Sequence, residues 1–491
     1  MRAEERPLRR EGLNVQSERE LPMWTTLKLV TVNNPHHYLI MLRNSWPQYM
    51  RMVLCYLAAL TFCGFISLWL HIRHLEIVSN PVTGEFGEVA QRAEQHYQKR
   101  VSFYMMDDVF AEYHTCTKKH EKELSAYGRQ KHGGEVHFLQ QLRHSPWRVF
   151  TMSPMPDLII VPVHFGWIGE QTQNYWHLDL KGSTHLDGLG GQNLTGFHCV
   201  SEAVAALKIM QSTAVFKLQR SRNVCLMSTH FRASTLMHSI CNDCIKITQV
   251  NDTQFARGAC AVVAPMQSQL GGMKMTPEKS VYLRQQPFDE FIKRKHMFYF
   301  SGQCHCCNTT CSARRRLFEA GSVLNSTNAF EPKLSIFHAV RRYINPDKGN
   351  RTFLTMDPQY VARVSQTRFG LHVRGDTPTS NRLFDLVEAG TVPVIVSDRF
   401  FPDARPGLRI PWEEFTFAIP KRYWTSERMA KRMVSIASTP HLELKNMRAV
   451  MNQWSHRILW SLEGSLVAQT LLVDVAHSCL NVYHLRSHVP I

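Results

Sequence analysis

The clearest pattern of apolar and polar positions lies in the C-terminal half of the chain. Phe369–Val373 is an apolar run with the length of a strand, and Val392–Val396 is an apolar run of the kind found in parallel strands buried on both faces. Between these runs, apolar residues of 383–387 mark one face of a helix that Ser380 can cap and Gly390 can end. The pattern predicts a strand–helix–strand unit, whose helix N-terminus offers N–H groups and a positive dipole to an anion such as a diphosphate.

Further strands and helices are predicted on both sides of this unit. Short apolar runs predict strands, and amphipathic periodicity predicts helices. The predicted strands are 158–161, 262–264 and 297–300, and the predicted helices are 201–211, 428–437 and 442–472. Strands that alternate with helices indicate an α/β fold.

An apolar segment near the N-terminus predicts a membrane anchor. Met52–Ile72 contains no Lys, Arg, Asp or Glu over 21 residues and is bracketed by Arg51 and Arg73. This length crosses the hydrocarbon core of a bilayer, which favours a transmembrane helix over a buried core helix. The basic residues of 1–51 favour a cytoplasmic location for that side.

Sequons and cysteines support this orientation. All five N-glycosylation sequons and eleven of the 13 Cys residues follow the predicted span, which fits an oxidising lumen. Because the Cys residues of 304–311 lack the usual spacing of a zinc site, disulfides are expected there, as at Cys241 and Cys244. The predicted glycosylated residues are Asn193, Asn251, Asn308, Asn325 and Asn350. These features predict a single-pass type II protein of the secretory pathway, with the Golgi membrane as the expected location.

Composition narrows the class of partner. The 491 residues are 44% hydrophobic and 20% charged, which is typical of a globular protein, and the formal net charge is +17. A basic protein fits anionic partners such as nucleotide-sugars, acidic polysaccharide or a membrane surface. No Lys/Arg-rich block with interleaved aromatic residues stands out in the sequence, so nucleic acid is not an expected partner.

Two polar residues of the predicted helix carry candidate chemistry. Arg382 lies in the first turn, where a guanidinium can bind phosphate oxygens bidentately. Asp385 lies three residues on, where a carboxylate can accept hydrogen bonds from ribose hydroxyls. On local pattern alone, a surface ion pair between the two at helical spacing is the favoured alternative.

The same stretch resembles the exostosin family of glycosyltransferases. The donor domain of that family reads roughly S-x-R-x-x-E-A, a small-residue helix end, G-C-V-P-V-I, an Asp, and later W-x-x-F. Ten residues match in order, which are Ser380, Arg382, Gly390, Val392, Pro393, Val394, Ile395, Asp398, Trp412 and Phe415. The chain departs from the pattern at Asp385, where most members have Glu, so that a shorter reach to the sugar-nucleotide is implied. It also departs at Thr391, which replaces Cys, and at 401–403, which replace Leu-Pro-Phe.

Further matches to the family lie upstream. They are Asp157, Leu158, Val161 and Pro162 in one segment, Arg220, Ser221 and His230 in a second, and Arg314 and Leu317 in a third. His230 would follow a strand, where an imidazole can take a proton from an acceptor hydroxyl; a hydrogen bond to its own loop is the alternative. Asp157 is the second candidate base, with capping of the strand as its alternative. Arg314 is a second candidate diphosphate contact, and Arg315 or Arg316 can serve instead.

The resemblance implies a GT-B fold, in which two Rossmann-like domains face a cleft. The expected divisions are a cytoplasmic tail (1–51), the transmembrane helix (52–72), a stem (73–100), an N-terminal acceptor domain (101–290), a C-terminal nucleotide-sugar domain (291–440) and C-terminal helices (441–491). The implied reaction is inverting transfer of a hexosyl or pentosyl group from a nucleotide-sugar, most often a UDP-sugar, to a glycan or glycoprotein in polysaccharide biosynthesis. The implied donor-binding residues are Arg314, Gly375, Ser380, Arg382 and Asp385, with no cofactor and no required divalent metal.

Two other functions stay open from the sequence. A non-catalytic glycan-binding or partner subunit can keep the same fold, and Phe231-Arg232 in place of the family's Asp-Trp favours it. The retained Arg382, Asp385 and Arg314 argue against it. A lumenal redox or zinc protein built on the 304–311 cysteines is the third candidate. The sequence leaves homo- and hetero-oligomerisation open.

Overall fold

The computed structural model describes ten stretches of the chain. They are residues 92–171, 198–220, 222–230, 233–249, 260–270, 275–303, 310–326, 335–342, 359–374 and 378–480. All of them lie in the compact unit Glu85–Ile491. The predicted cytoplasmic tail and transmembrane helix, 1–72, lie outside the described residues. Of the helices that are described, none has both the length and the apolar character needed to cross a bilayer.

The first of two parallel sheets has the strand order β2-β1-β3-β4-β5-β6. Its strands are β1 Phe103–Met105, β2 Arg148–Val149, β3 Leu158–Ile160, β4 Val224–Met227, β5 Ile245–Thr248 and β6 Ala261–Val263. Its helices are α1 Ala111–Lys119, α2 Glu121–Gly128, α3 Gly134–Arg143, α4 Phe165–Gln171, α5 Val200–Ser212, α6 Ala214–Gln219 and α7 Ala233–Ile240. Successive residues of β3 alternate between two apolar clusters, since Leu158 and Ile160 join one and Ile159 joins the other. The sheet is therefore buried on both faces, as its apolar strands predict.

The second sheet has the strand order β11-β10-β9-β7-β8. Its strands are β7 His296–Gln303, β8 Ser335–Arg342, β9 Thr367–Val373, β10 Val392–Val396 and β11 Phe417–Ala418. The helices before and around it are α8 Pro277–Gln285, α9 Phe288–Phe291, α10 Thr310–Ser326, α11 Tyr360–Ser365, α12 Asn381–Glu388, α13 Phe400–Asp403, α14 Trp412–Phe415, α15 Ser426–Ala437, α16 His441–Trp454 and α17 Val467–Val475. A mixed α/β fold with parallel sheets is confirmed.

The predicted strand–helix–strand unit is formed by β9, α12 and β10. β9 and β10 pair in parallel, with Phe369 opposite Val392, and the apolar residues of 383–387 are buried. Gly390 ends α12 with φ = 59°, a left-handed conformation that favours glycine. A Cβ at this position would also lie 2.3 Å from the Leu283 carbonyl oxygen. The bounds of β10 and the helix end at Gly390 are confirmed, whereas β9 begins two residues earlier than predicted, at Thr367.

The C-terminal helices return to the first sheet. α17 packs against α3 and β6, and Trp460 Nε1 donates to the Pro265 carbonyl at 2.9 Å. Tyr97, in the segment predicted as a stem, is buried in the same apolar cluster as Trp460. The prediction of a helix over 442–472 is wrong in its middle, because residues 455–466 form a 3₁₀ turn and a loop between α16 and α17.

Disulfides join three pairs of described residues. They are Cys116–Cys199, Cys241–Cys244 and Cys260–Cys479. The predicted bond formation at Cys241 and Cys244 is confirmed. The third bond ties the start of β6 to the segment that follows α17, so the return of the chain to the first sheet is also covalent.

Candidate functional site

The N-terminus of α12 lies just after β9, at the carboxyl edge of the second sheet. Ser380 occupies the N-cap position, but its side chain accepts no hydrogen bond from the first turn. His372 Nε2 donates to the Pro378 carbonyl at 3.2 Å, and its Nδ1 lies 3.4 Å from Ser380 Oγ, so the Ser380 hydroxyl donates to the ring. The Leu383 N–H donates to the Ser380 carbonyl at 3.1 Å, whereas no side-chain cap within the described residues occupies the N–H groups of Asn381 and Arg382, which can therefore bind an anion.

Arg382 lies in this first turn and is partly buried. Its guanidinium lies over the Phe300 ring, 5.1 Å from the centroid. Among the described residues, no carboxylate lies within ion-pair distance of it, so the expected alternative of an Arg382–Asp385 surface ion pair is wrong. Burial, and then the nearby charge of Arg314, lower the pKa of Arg382. Within the described part of the chain, Arg382 is thus a cation with no carboxylate at ion-pair distance, although the charge of Asp385 favours its charged form from farther away.

Arg314 is the member of the 314–316 run that lies near Arg382. It is partly buried and donates to the Arg374 carbonyl at 3.1 Å. Arg315 and Arg316 are exposed, and both pair with Glu319 on the same helix. The sequence left all three arginines as candidates, and the geometry leaves Arg314.

Arg374 adds a third cation at the end of β9. Its Nε is buried and has no hydrogen-bond partner among the described residues. Burial and the charges of Arg382 and Arg314 hold the pKa of His372 at about 3, so this ring is neutral. We call Arg314, Arg374 and Arg382 the arginine cluster. Its net positive charge beside an open helix N-terminus suits a diphosphate.

Asp385 has a different environment from the predicted one. Its side chain has no exposed surface. Oδ1 accepts from Ser268 Oγ and from the N–H groups of Gln269 and Leu270, and Oδ2 accepts from the Tyr360 hydroxyl and Asn381 Nδ2. Burial raises the pKa of Asp385 to about 6. Both oxygens are occupied by protein donors, so the carboxyl group holds the 268–270 segment against α12.

His230 lies beyond β4, at the carboxyl edge of the first sheet. It is 8% exposed, and its ring centroid lies 4.5 Å from that of His132. His132 Nδ1 lies 2.9 Å from the Thr229 carbonyl oxygen, which orients the ring. Burial, and then the charge of His230, lower the pKa of His132 well below its usual range. We call His132 and His230 the imidazole pair.

Asp157, the second candidate base, lies at the other edge of this sheet. It precedes β3, is exposed, and accepts from the Ser102 backbone N–H and hydroxyl at 2.7 Å. Because β3 and β4 are parallel, this amino edge lies across the sheet from His230. Asp157 therefore caps the strand, and the geometry does not place it with the imidazole pair.

The segment between β6 and α8 connects the two edges. The Gln267 N–H donates to the Lys131 carbonyl at 3.3 Å, next to the imidazole pair. Asn381 Nδ2, in the first turn of α12, donates to Gln269 Oε1 at 3.2 Å. Two residues of extended chain span at most about 7 Å. The imidazole pair and the N-terminus of α12 therefore lie on either side of residues 267–269, which we call the linker.

Most of the remaining predicted site residues lie outside the residues that the structure describes. Gly375 lies outside the described residues, and so do the sequons at Asn193, Asn251, Asn308 and Asn350. Asn325 is exposed near the end of α10.

The sequence did not single out Arg374 or His132. Arg374 had an available signal, since it directly follows a predicted strand, at the edge where ligands of α/β sheets bind. His132 had none, because its orienting partner Thr229 is 97 positions away.

Comparison with known protein families gives a match to the part of the chain that contains the arginine cluster. Residues 234–431 match the family model of the Exostosin GT47 domain. No curated protein matches the chain. The matched range contains the arginine cluster and the whole of α12, and the ten residues that resemble the exostosin donor motif lie in it. This match supports a glycosyltransferase domain of the exostosin family in residues 234–431.

Proposed function

We propose that the protein transfers a sugar from a nucleotide-sugar, a UDP-sugar, to a hydroxyl group of a glycan or glycoprotein. The observation that carries the proposal is the arginine cluster at the uncapped N-terminus of α12, inside the exostosin match. Guanidinium groups and first-turn N–H groups together supply the charge-assisted hydrogen bonds that a diphosphate needs. In a partly buried site these interactions are stronger than in water.

The cluster has a role in bond breaking as well as in binding. In direct displacement, the acceptor oxygen forms a bond to the anomeric carbon while the bond from that carbon to the diphosphate breaks. Negative charge then grows on the leaving diphosphate, and Arg382, Arg314 and the dipole of α12 stabilise it. Protein cations thus take the part that a divalent metal plays in other transferases.

The acceptor proton needs a base on the first sheet. We assign that part to His230, because it lies at the carboxyl edge and next to the linker that leads to α12. The imidazole takes the proton of the acceptor hydroxyl as that oxygen attacks, which inverts the configuration at the anomeric carbon. Asp385 keeps a positioning role, because its oxygens are already occupied by the linker and Tyr360.

We further propose the GT-B arrangement and its membrane location. The first sheet would carry the acceptor half and the second sheet the nucleotide-sugar half, with the cleft at the linker. The disulfides fit an oxidising lumen, and the predicted span at 52–72 would anchor a type II protein in the Golgi membrane.

The proposal is tested with the purified full-length chain in detergent. UDP release is followed with a panel of UDP-sugars, and thermal stabilisation by UDP is measured on the same protein. We expect UDP to raise Tm and one or a few sugars to give UDP release, with the same rate in EDTA. Absence of both UDP stabilisation and UDP release would overturn the proposal. UDP binding without release on any acceptor would instead favour the non-catalytic subunit.

A further inference from the structure

A buried carboxyl group lies beneath the imidazole pair. Glu135, in the first turn of α3, has no exposed surface. Its Oε2 accepts the Gly166 N–H at 2.8 Å, and its Oε1 accepts the Trp167 N–H at 2.9 Å. Both donors belong to the first turn of α4. One carboxyl group therefore holds the N-terminus of α4 against α3.

Two hydroxyl groups connect Glu135 to the imidazole pair. Tyr127 and Ser228 both hydrogen-bond to the carboxyl group. The Tyr127 hydroxyl also donates to the His132 carbonyl at 2.9 Å, and Ser228 Oγ accepts the His230 N–H at 3.0 Å. The backbone of each histidine of the imidazole pair is thus linked to Glu135 through a single hydroxyl, by the His132 carbonyl on one side and the His230 backbone N–H on the other.

The hydrogen bonds that Glu135 accepts from two backbone N–H groups and two hydroxyls favour its charged form and lower its pKa. Ser228 accepts from His230 and can donate to Glu135. Burial outweighs these hydrogen bonds and raises the pKa of Glu135 to about 8.

Gly166 brings these groups into direct contact. A Cβ at this position would lie 2.3 Å from the Tyr127 hydroxyl oxygen and 2.9 Å from His230 Cβ. The start of α4 therefore packs against the His230 loop with no space for a side chain. A displacement of Glu135 would be transmitted to His230 through these contacts as well as through Ser228.

We propose that Glu135 is a positioning residue for sugar transfer, which holds the His230 loop through Ser228 and the His132 segment through Tyr127. This inference rests on the proposed function. Glu135 lies behind the pair and is fully buried, so it does not touch the acceptor. Its part is to fix the direction from which the imidazole meets the acceptor hydroxyl.

The test compares Glu135→Gln and Ser228→Ala with the wild-type full chain. We expect kcat for UDP release to fall at least about tenfold, because a displacement of 1 Å can lower a rate about a hundredfold. KM for the nucleotide-sugar and the rise in Tm caused by UDP should stay at wild-type values, since the arginine cluster belongs to the second sheet. Ser228→Ala removes only the link to His230 and leaves the α4 contacts in place. Glu112→Gln, at an exposed position of α1, is the matched control and should behave as wild type.

Three results would count against the inference. If both variants keep wild-type kcat, Glu135 does not position the base. If kcat, UDP stabilisation and Tm all fall together, Glu135 only supports the fold. A wild-type chain without UDP release overturns the proposed function, and this inference with it, whereas an active wild type with fully active variants overturns the inference alone.

Discussion

Replacement of Arg382 by alanine is the most direct test of the donor site. The change removes a partly buried guanidinium that lies over Phe300 and has no carboxylate within ion-pair distance among the described residues. Without a bound anion, burial and Arg314 already disfavour its charge, as the lowered pKa of Arg382 indicates. Among the described residues, the contact that the unbound protein loses is the cation–π contact with Phe300, and such contacts contribute about 0.5–2 kcal/mol. The unbound variant should therefore unfold near the wild-type Tm.

The effect on UDP binding should be much larger. Loss of one charge-assisted hydrogen bond removes about 1.5–3 kcal/mol, which weakens binding about 10- to 150-fold. UDP at a hundred times its Kd stabilises a protein by about 2.7 kcal/mol, and after a hundredfold loss of affinity the same concentration gives about 0.4 kcal/mol. With about 2–4 °C per kcal/mol for a domain of 150–250 residues, the rise in Tm should fall from about 5–11 °C to about 1–2 °C.

The assay is thermal unfolding with and without UDP. Arg315→Ala is the matched control, because Arg315 is exposed on α10 and pairs only with Glu319 in the described structure. It should keep the full UDP response. An Arg382→Ala variant whose Tm still rises with UDP as far as that of the wild type would refute the assignment of the diphosphate to this cluster.

Three further predictions concern stability. Asp385→Asn should reduce the pH dependence of unfolding. The wild-type pKa of about 6 lies above the unfolded value of 3.8, so the wild type loses about 2 kcal/mol of unfolding free energy as pH rises from 4 to 6. The variant should not show this loss, and denaturant unfolding at both pH values would measure it. Gly166→Ala should lower Tm and kcat together, because its Cβ would overlap the Tyr127 hydroxyl, and an unchanged variant would contradict the close contact. Replacement of both Cys260 and Cys479 by serine should lower the unfolding free energy by about 2–5 kcal/mol, because the disulfide closes a loop over 219 positions. Since the variant lacks this bond, a reducing agent should not destabilise it further at this site.

The strand–helix–strand unit could be predicted from sequence because its determinants are local. The apolar runs and the terminal glycine act within a few residues of the element they define, whereas the predicted cap by the Ser380 side chain is not formed. The helical face of α12 that contains Arg382 could also be predicted, because it is set by local periodicity. The prediction of a continuous helix over 442–472 was wrong in its middle, where apolar residues such as Trp460 are buried although they lie in a loop. Periodicity alone does not distinguish a buried loop residue from a residue on the buried face of a helix.

The partners of the site carboxyl groups could not be predicted in this way. Asp385 has the position of a donor ligand in the sequence, but its oxygens are taken by a segment that includes Leu270, 115 positions earlier. Glu135 has the appearance of an ordinary acidic residue in the first turn of a helix, which is usually exposed. Its burial follows from the approach of Gly166, 31 positions later, and only the assembled sheet brings the two together.

The order of strands in the first sheet limits how the chain can be divided. The exostosin match begins inside α7, so it contains β5 and β6 but not β4, the neighbour with which β5 pairs. A protein expressed from residues 234–431 alone would present the β4-facing side of β5 as a bare strand edge, which invites aggregation. It would also lack α17, which covers β6. Hybrid proteins made by exchanging domains should therefore carry the compact unit Glu85–Ile491 over as one piece.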